Sequence, residues 1–391
     1  MLYLNQLGMI CALGDNHAEI AGRLFDGHSG VALTERYSSG RQLSLGCVDT
    51  VLPSVEALPL IHRSRNNQLA LAALAAIRPA VDAAIERYGA DRIAIVLGTS
   101  TSGIAETEAA CRQRAADGKF PSQFTYAQQE MGSPASMLAS VLGITGPAYV
   151  QSSACASSAK AMASAARLIR MGVCDVVLTG GVDSLCAFTV AGFGALESVS
   201  AARCNPFSAN RNGINIGEGA ALFLMSAEPA TVALRGWGES CDGYHISAPD
   251  PAGGGARIAI EQALSRAGIA ASQIDYINLH GTATVQNDAM ESAVIASQFG
   301  NQVAVSSTKP FTGHTLGAAG AVEAGLCWLA MQDDNRAGCL PPHLWDGVVD
   351  SALPALNLLP AGARLGHPVR WALSNSFAFG GANATLILGR E

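Results

Sequence analysis

Cys155 is the first candidate for chemistry. It stands in Gln151-Ser152-Ser153-Ala154-Cys155-Ala156-Ser157-Ser158, where an apolar strand-like run gives way to a helix of small residues. At such a junction the free N–H groups of the helix end favour thiolate over thiol, and neighbouring amides can receive a developing oxyanion. Taken alone, the same setting suits a buried structural thiol, since free cysteine is among the most buried residue types. The other nine cysteines, at 11, 47, 111, 174, 186, 204, 241, 327 and 339, lie in apolar stretches or loops without this arrangement. The ten cysteines together, Cys155 included, form no Cys-x-x-Cys pair and no Cys/His cluster at ligand spacing, so neither a disulfide framework nor a bound metal is expected.

Two histidines occupy similar turns. His280 ends a strand-like run in Asn278-Leu279-His280-Gly281-Thr282-Ala283-Thr284, with the hydroxyls of Thr282 and Thr284 two and four residues on. His314 closes Ser307-Thr308-Lys309-Pro310-Phe311-Thr312-Gly313-His314, just before a second helix of small residues, and one of only three lysines, Lys309, is five residues ahead of it. A lone histidine beside glycine is usually structural. In an open α/β sheet, however, sites assemble at the carboxyl ends of strands, so all three turns can face one cleft. A fourth segment, Asn375-Ser376-Phe377-Ala378-Phe379-Gly380-Gly381-Ala382-Asn383, reads either as a tight turn or as a loop whose backbone approaches a ligand, with Phe379 as a wall or lid.

The elements that must hold these turns alternate. Apolar runs at 92–97, 148–151, 175–179, 219–225, 275–279, 303–307, 371–374 and 384–388 read as strands, several of them buried on both faces. Alanine-rich stretches at 68–88, 133–142, 155–171, 258–267, 288–299 and 317–331 read as helices. The class is α/β, with a largely parallel sheet or two sheets enclosing helices. Residues 148–172 and 303–332 both read strand, polar turn, then a helix of Ala, Ser and Gly on nearly every face. This suggests a duplication whose two small-residue helices pack closely at the centre. The halves are placed at 1–228, carrying Cys155, and 229–391, carrying His280, Lys309 and His314.

Composition narrows the classes. In 391 residues only 14% are charged and 49% are hydrophobic, which implies much surface out of water and an oligomer with an extensive interface. No apolar run of about 18 residues is free of charge or turn residues, so no membrane span is expected. Net charge is −7, with 21 scattered arginines and lysines only at 119, 160 and 309, which gives no support for nucleic-acid binding. The first residues have neither a basic region nor a small-residue cleavage site, so a cytoplasmic protein is expected.

Taken together, these segments resemble the β-ketoacyl-acyl-carrier-protein synthases, the elongating condensing enzymes of the thiolase superfamily. The resemblance runs nearly the whole chain: SSACASSAK at Cys155, NPF at 205–207 with GEGA at 217–220, DGYH at 242–245, HGTAT at 280–284, STKPFTGHTLGAAGAVEA from Ser307, and SNSFAFGGAN from Ser374. HGTAT followed by Asn287-Asp288-Ala289-Met290-Glu291 is similar to ketosynthases of aryl-polyene clusters.

The resemblance implies a thiolase-like αβαβα five-layer sandwich of two duplicated halves and a decarboxylative Claisen condensation. Cys155 would hold an acyl group delivered by acyl carrier protein, and His280 and His314 would hydrogen-bond the malonyl thioester as carbon dioxide leaves. Lys309 and Glu323 match ordering residues, and the N–H groups of Cys155 and Phe379 match the oxyanion hole, with Phe379 also the gate. Thr282, Thr284, Ser247 and Phe377 match the substrate-binding wall. No cofactor is implied; the partners would be acyl carrier protein and a second subunit, either a copy of this chain or a chain-length-factor-like homologue. Arginines near the cleft, Arg63 and Arg65, are expected to dock the acidic carrier. Ala283 stands where the family usually has Gly or Ser, and Ala378 where it has Gly. The competing reading is a non-catalytic chain-length partner, which typically lacks the cysteine; a thiolase-like or chalcone-synthase-like enzyme is disfavoured by the paired histidines.

Overall fold

The computed structural model describes all 391 residues. Ten strands carry the architecture. The first five are β1 (Tyr3–Cys11), β2 (Ile93–Gly98), β3 (Ala148–Gln151), β4 (Val176–Asp183) and β5 (Gly219–Ser226). The second five are β6 (Val232–Cys241), β7 (Tyr276–Asn278), β8 (Ala304–Ser306), β9 (Trp371–Phe377) and β10 (Ala382–Arg390). Outward from the centre the first set runs β1-β5-β4-β2-β3 and the second β6-β10-β9-β7-β8. Each strand has a counterpart five places on. The pairings agree in direction too, the inner two antiparallel and the outer two parallel in both sets. An antiparallel pairing of Tyr3 with Ala233 joins the sets edge to edge.

Six helices repeat the pattern. α1 (Arg65–Tyr88), α2 (Ser133–Leu142) and α3 (Ser157–Arg170) lie between successive strands from β1 to β4, and α4 (Gly254–Ala267), α5 (Val285–Phe299) and α6 (Ala319–Ala330) do the same from β6 to β9. α1 and α2 cover the outer face of the first sheet, α4 and α5 that of the second, and α3 and α6 lie between the sheets. The result is a five-layer αβαβα sandwich of two repeated halves.

Strands covered on both faces have no wet side, which is why β2, β4 and β5 are buried throughout and read as unbroken apolar runs. Every residue of α6 except Trp328 is buried. Its contact with α3 needs glycine: a Cβ on Gly320 would stand 2.9 Å from Cβ of Ala159 and 3.0 Å from Oγ of Ser376. The small-residue composition of both helices is thus a packing requirement.

Two central strands escape the periodicity reading. β1 carries Asn5 and Gln6 with a register shift between Leu4 and Gln6, and β6 is interrupted by Arg235 and Glu239. The helices His17–Phe25, Ile104–Asp117 and Ala187–Ala195 are also additions. α1 is long and apolar enough to cross a bilayer by length and composition; its face of Leu69, Ala73, Ile77 and Val81 is instead buried against the first sheet.

Candidate active site

β3 ends at Gln151 and α3 begins at Ser157, and the turn between them is a sharp one. Ala154 takes a left-handed φ of +47°, which a non-glycine residue adopts only under constraint. Ser157 supplies that constraint: its hydroxyl donates to the carbonyl of Ala154 at 2.6 Å and accepts from the amide of Ser153 at 2.7 Å. Cys155 is thereby fixed at the amino end of α3, and it is buried. Burial pushes its thiol up to about 11, against the pull of Lys309 and of the Phe379 N–H. Loss of water around Sγ thus opposes the thiolate that a helix end favours, and it holds the sulfur as a thiol at rest.

His314 Nε2 lies 3.0 Å from that sulfur. Its backbone is clamped, donating to the carbonyl of Asn215 at 2.6 Å and accepting from Gly217 at 2.9 Å. The His280 ring stands edge-on to it, centroids 5.5 Å apart. Burial and the Lys309 charge hold both imidazoles well below their ordinary range, so both are neutral at pH 7. Lys309 Nζ donates to His280 Nδ1 at 3.3 Å. An ammonium has no acceptor, so Nδ1 is bare and the ring proton sits on Nε2. Glu323 holds the lysine from behind at 2.5 Å, with both side chains buried.

These residues open on a cleft of about 590 Å³, including its solvent-filled mouth. Cys155, His280, His314, Thr282, Thr284, Ser247, Phe377 and Phe379 all line it, whereas Lys309 and Glu323 stand behind His280. The hydroxyls of Thr282 and Thr284 are 2.9 Å apart, and Ser247 is at the outer rim beside His245. Phe379 precedes Gly380 and Gly381, both at positive φ, and stacks against Phe193 with centroids 5.8 Å apart. Ala378 has an ordinary extended backbone, so its methyl narrows the wall without strain. A neutral thiol beside a neutral imidazole, with a second imidazole N–H and a backbone N–H aimed at the same space, can form a thioester and polarise a second carbonyl.

Sequence reasoning missed the carboxylates that set this geometry. Glu291 accepts from the amides of His280 and Gly281, each at 2.8 Å, and from Asn375 at 3.3 Å. Asp183, at the end of β4, accepts from the amides of Ser100 and Thr101 at 2.8 Å and from the hydroxyls of Thr99, Ser100 and Thr101 at 2.6–2.7 Å. It also takes the amide of Gly317 at 2.5 Å, three residues past His314. Phe193, another unforeseen wall residue, sits on an apolar helix with no chemical motif. Arg65 is engaged within the chain, its guanidinium bidentate on buried Glu218 at 2.6 and 2.8 Å. Arg63 remains half-buried, with Nε donating to the carbonyl of Leu58.

The description "Beta-ketoacyl synthase, N-terminal domain" matches residues 57–230, and its C-terminal counterpart matches 231–344. The chain belongs to the β-ketoacyl synthase family. It is a condensing enzyme of the acyltransferase class. Among its relatives, Nodulation protein E of Rhizobium sp. (strain N33) is 34% identical over 97% of this chain and 96% of its own. The 3-oxoacyl-(acyl-carrier-protein) synthase 1 of Haemophilus influenzae is 31% identical over 98% and 97%. Among solved synthases, the ketosynthase ApeO of Xenorhabdus doucetiae, determined in complex with its chain length factor ApeC, is 46% identical with a TM-score of 0.94, covering 100% of this chain and 98% of that one. The ishigamide ketosynthase/chain length factor shares 28% identity at a TM-score of 0.89, covering 100% and 99%.

Proposed function

We propose that this chain is the catalytic subunit of a 3-oxoacyl synthase that condenses an acyl group held on Cys155 with a malonyl group held on acyl carrier protein. The observation that carries this is the 3.0 Å approach of His314 Nε2 to Cys155 Sγ, with the Nε2–H of His280 beside them. In acylation the sulfur attacks the carrier thioester; its proton passes through His314 to the departing carrier thiol, and the N–H groups of Cys155 and Phe379 hold the oxyanion. In condensation His280 donates to the malonyl carbonyl from Nε2, and His314 does so once its ring proton has exchanged, through cleft water, from the unpartnered Nδ1 to Nε2. The bond to carbon dioxide breaks, its electron pair becomes the enolate, and the enolate carbon attacks the acyl thioester and expels Cys155 as a thiolate, which takes one proton from solvent through His314 to return to the thiol. Because decarboxylation supplies the carbanion, no strong base, metal or cofactor enters.

Lys309 and Glu323 serve by fixing the His280 proton, and Thr282, Thr284, Ser247 and Phe377 by guiding the carrier arm. The second subunit is a chain-length-factor-like homologue, a reading supported by the partner of the 46% identical relative, and the pathway is of the aryl-polyene kind. The duplicated halves divide at 228/229, and the enzyme works in the cytoplasm. Cys155, His280 and His314 in mutual contact disfavour a non-catalytic chain-length role. The test is transfer from an acyl carrier protein: wild type should gain one acyl mass on the peptide containing Cys155. Transfer retained by Cys155→Ala would remove the assignment.

A further inference from the structure

Sγ of Cys155 and one ring nitrogen each of His280 and His314 lie within 4.8 Å of one another, on side chains all more than nine-tenths buried. A thiolate and two imidazoles are three of the four ligands that a zinc-type ion takes, and the cleft leaves the fourth place to water. One neighbour opposes such an ion. At His280 the ammonium of Lys309 occupies Nδ1, and the ring proton occupies Nε2, so neither nitrogen offers a free lone pair. A metal-bound histidine needs an acceptor for its other ring N–H, and an ammonium is the reverse of that. Glu323 keeps the lysine from swinging aside.

We propose that Cys155, His280 and His314 form a latent site for a thiophilic divalent cation and that Lys309 holds it closed. The same hydrogen bond that aims a proton at substrate also keeps the sulfur and imidazoles from being captured by metal. Donor geometry alone carries the latent site, so it and the condensation reading can fail separately. In an opened variant, binding forms the metal–sulfur bond and releases one proton, from the Cys155 thiol, to buffer.

The test compares Lys309→Gln, Lys309→Met and Lys309→Arg with wild type, using Zn²⁺ in equilibrium dialysis and Co²⁺ for its thiolate charge-transfer band. The glutamine carbonyl can accept from a His280 Nδ1–H, so this variant should bind roughly ten- to a hundredfold more tightly than wild type, the range that outer partners of ligating histidines command. Methionine should fall between, and arginine, still a donor, should match wild type. Cys155→Ser added to Lys309→Gln should abolish the cobalt band. Equal affinity of wild type and a folded Lys309→Gln protein would overturn the proposal. Wild type is decisive even if the variants do not fold: a stoichiometric cobalt–thiolate band at micromolar Co²⁺ overturns the proposal, and no band sustains it.

Discussion

Asp183→Asn is an isosteric change in a side chain that makes no contact with solvent, which makes it a sharp probe of how the two halves are held in register. The carboxylate receives three backbone amides and three hydroxyls, the amides coming from Ser100 and Thr101 on one side and Gly317 on the other. An amide side chain keeps one acceptor oxygen. The hydroxyls can rotate to use the new NH₂ as a donor, but the backbone amide facing it cannot. One charge-assisted bond is lost, at about 1.5–3 kcal/mol, and one buried N–H is stranded, at about 1–3 kcal/mol, so the expected loss is about 3–5 kcal/mol. Urea unfolding followed by circular dichroism reads this as a lower midpoint at unchanged slope. Gly317 leads α6 away from His314, so malonyl decarboxylation should fall by about tenfold or more as that imidazole loosens. A loss under about 1 kcal/mol with unaltered decarboxylation would show that Asp183 does not tie the histidine turn to the β2 turn.

Other consequences are equally open to measurement. Ala283 sits at a left-handed φ of +64°; Ala283→Gly should raise stability by about 0.5–1 kcal/mol in thermal unfolding, and a loss would mean the methyl's burial outweighs the strain. Gly320→Ala should destabilise by about 1–3 kcal/mol, because α3 cannot retreat from a new Cβ 2.9 Å from Ala159. Arg65→Ala strands the Glu218 carboxylate and should cost about 3–5 kcal/mol of stability in urea titration, rather than weakening carrier binding in a folded enzyme. Burial lowers His343 to about 4, below its unfolded value near 6.5, so the folded chain binds fewer protons in that window and stability falls as pH drops from about 6.5 to 4. His343→Gln should make the pH dependence of unfolding shallower by about 1.4 kcal/mol per pH unit there; an unchanged slope would place the titration elsewhere.

The site was legible where chemistry and turn coincide. Cys155, His280 and His314 each follow an apolar run and precede small residues, so residue type and local pattern agree. Lys309 was visible through its rarity and its place five residues before His314, whereas Glu323 rested on the family resemblance, because a carboxylate inside an apolar helix looks like an interruption until its lysine is seen 2.5 Å away. Asp183 has no sequence mark, and Glu291 enters only as the last residue of the 287–291 match, with no role attached to it. Their partners are mainly backbone amides and small hydroxyls, which every loop possesses, and only the folded turn brings those groups to one oxygen. The same holds for the charge on Cys155: the helix end is local and readable, while the burial that opposes it comes from distant segments that share its cleft, among them His280, His314, Phe377 and Phe379. In the fold, α3 and α6 were recognisable by their tiny residues, but β1 and β6, the strands that join the halves, carry polar residues at the seam and break the period.

Following one turnover by mass shows whether Cys155 carries the acyl group into the condensation. The enzyme, purified with its second subunit and acylated from carrier protein, is mixed with malonyl-carrier protein, and both proteins are weighed intact. The acyl mass should leave Cys155 as the malonyl mass on the carrier is replaced by a 3-oxoacyl mass two carbons longer than the starting acyl group, with one carbon dioxide released. A 3-oxoacyl product formed while Cys155 is never acylated, or an acylated Cys155 that leaves malonyl-carrier protein intact, would contradict it.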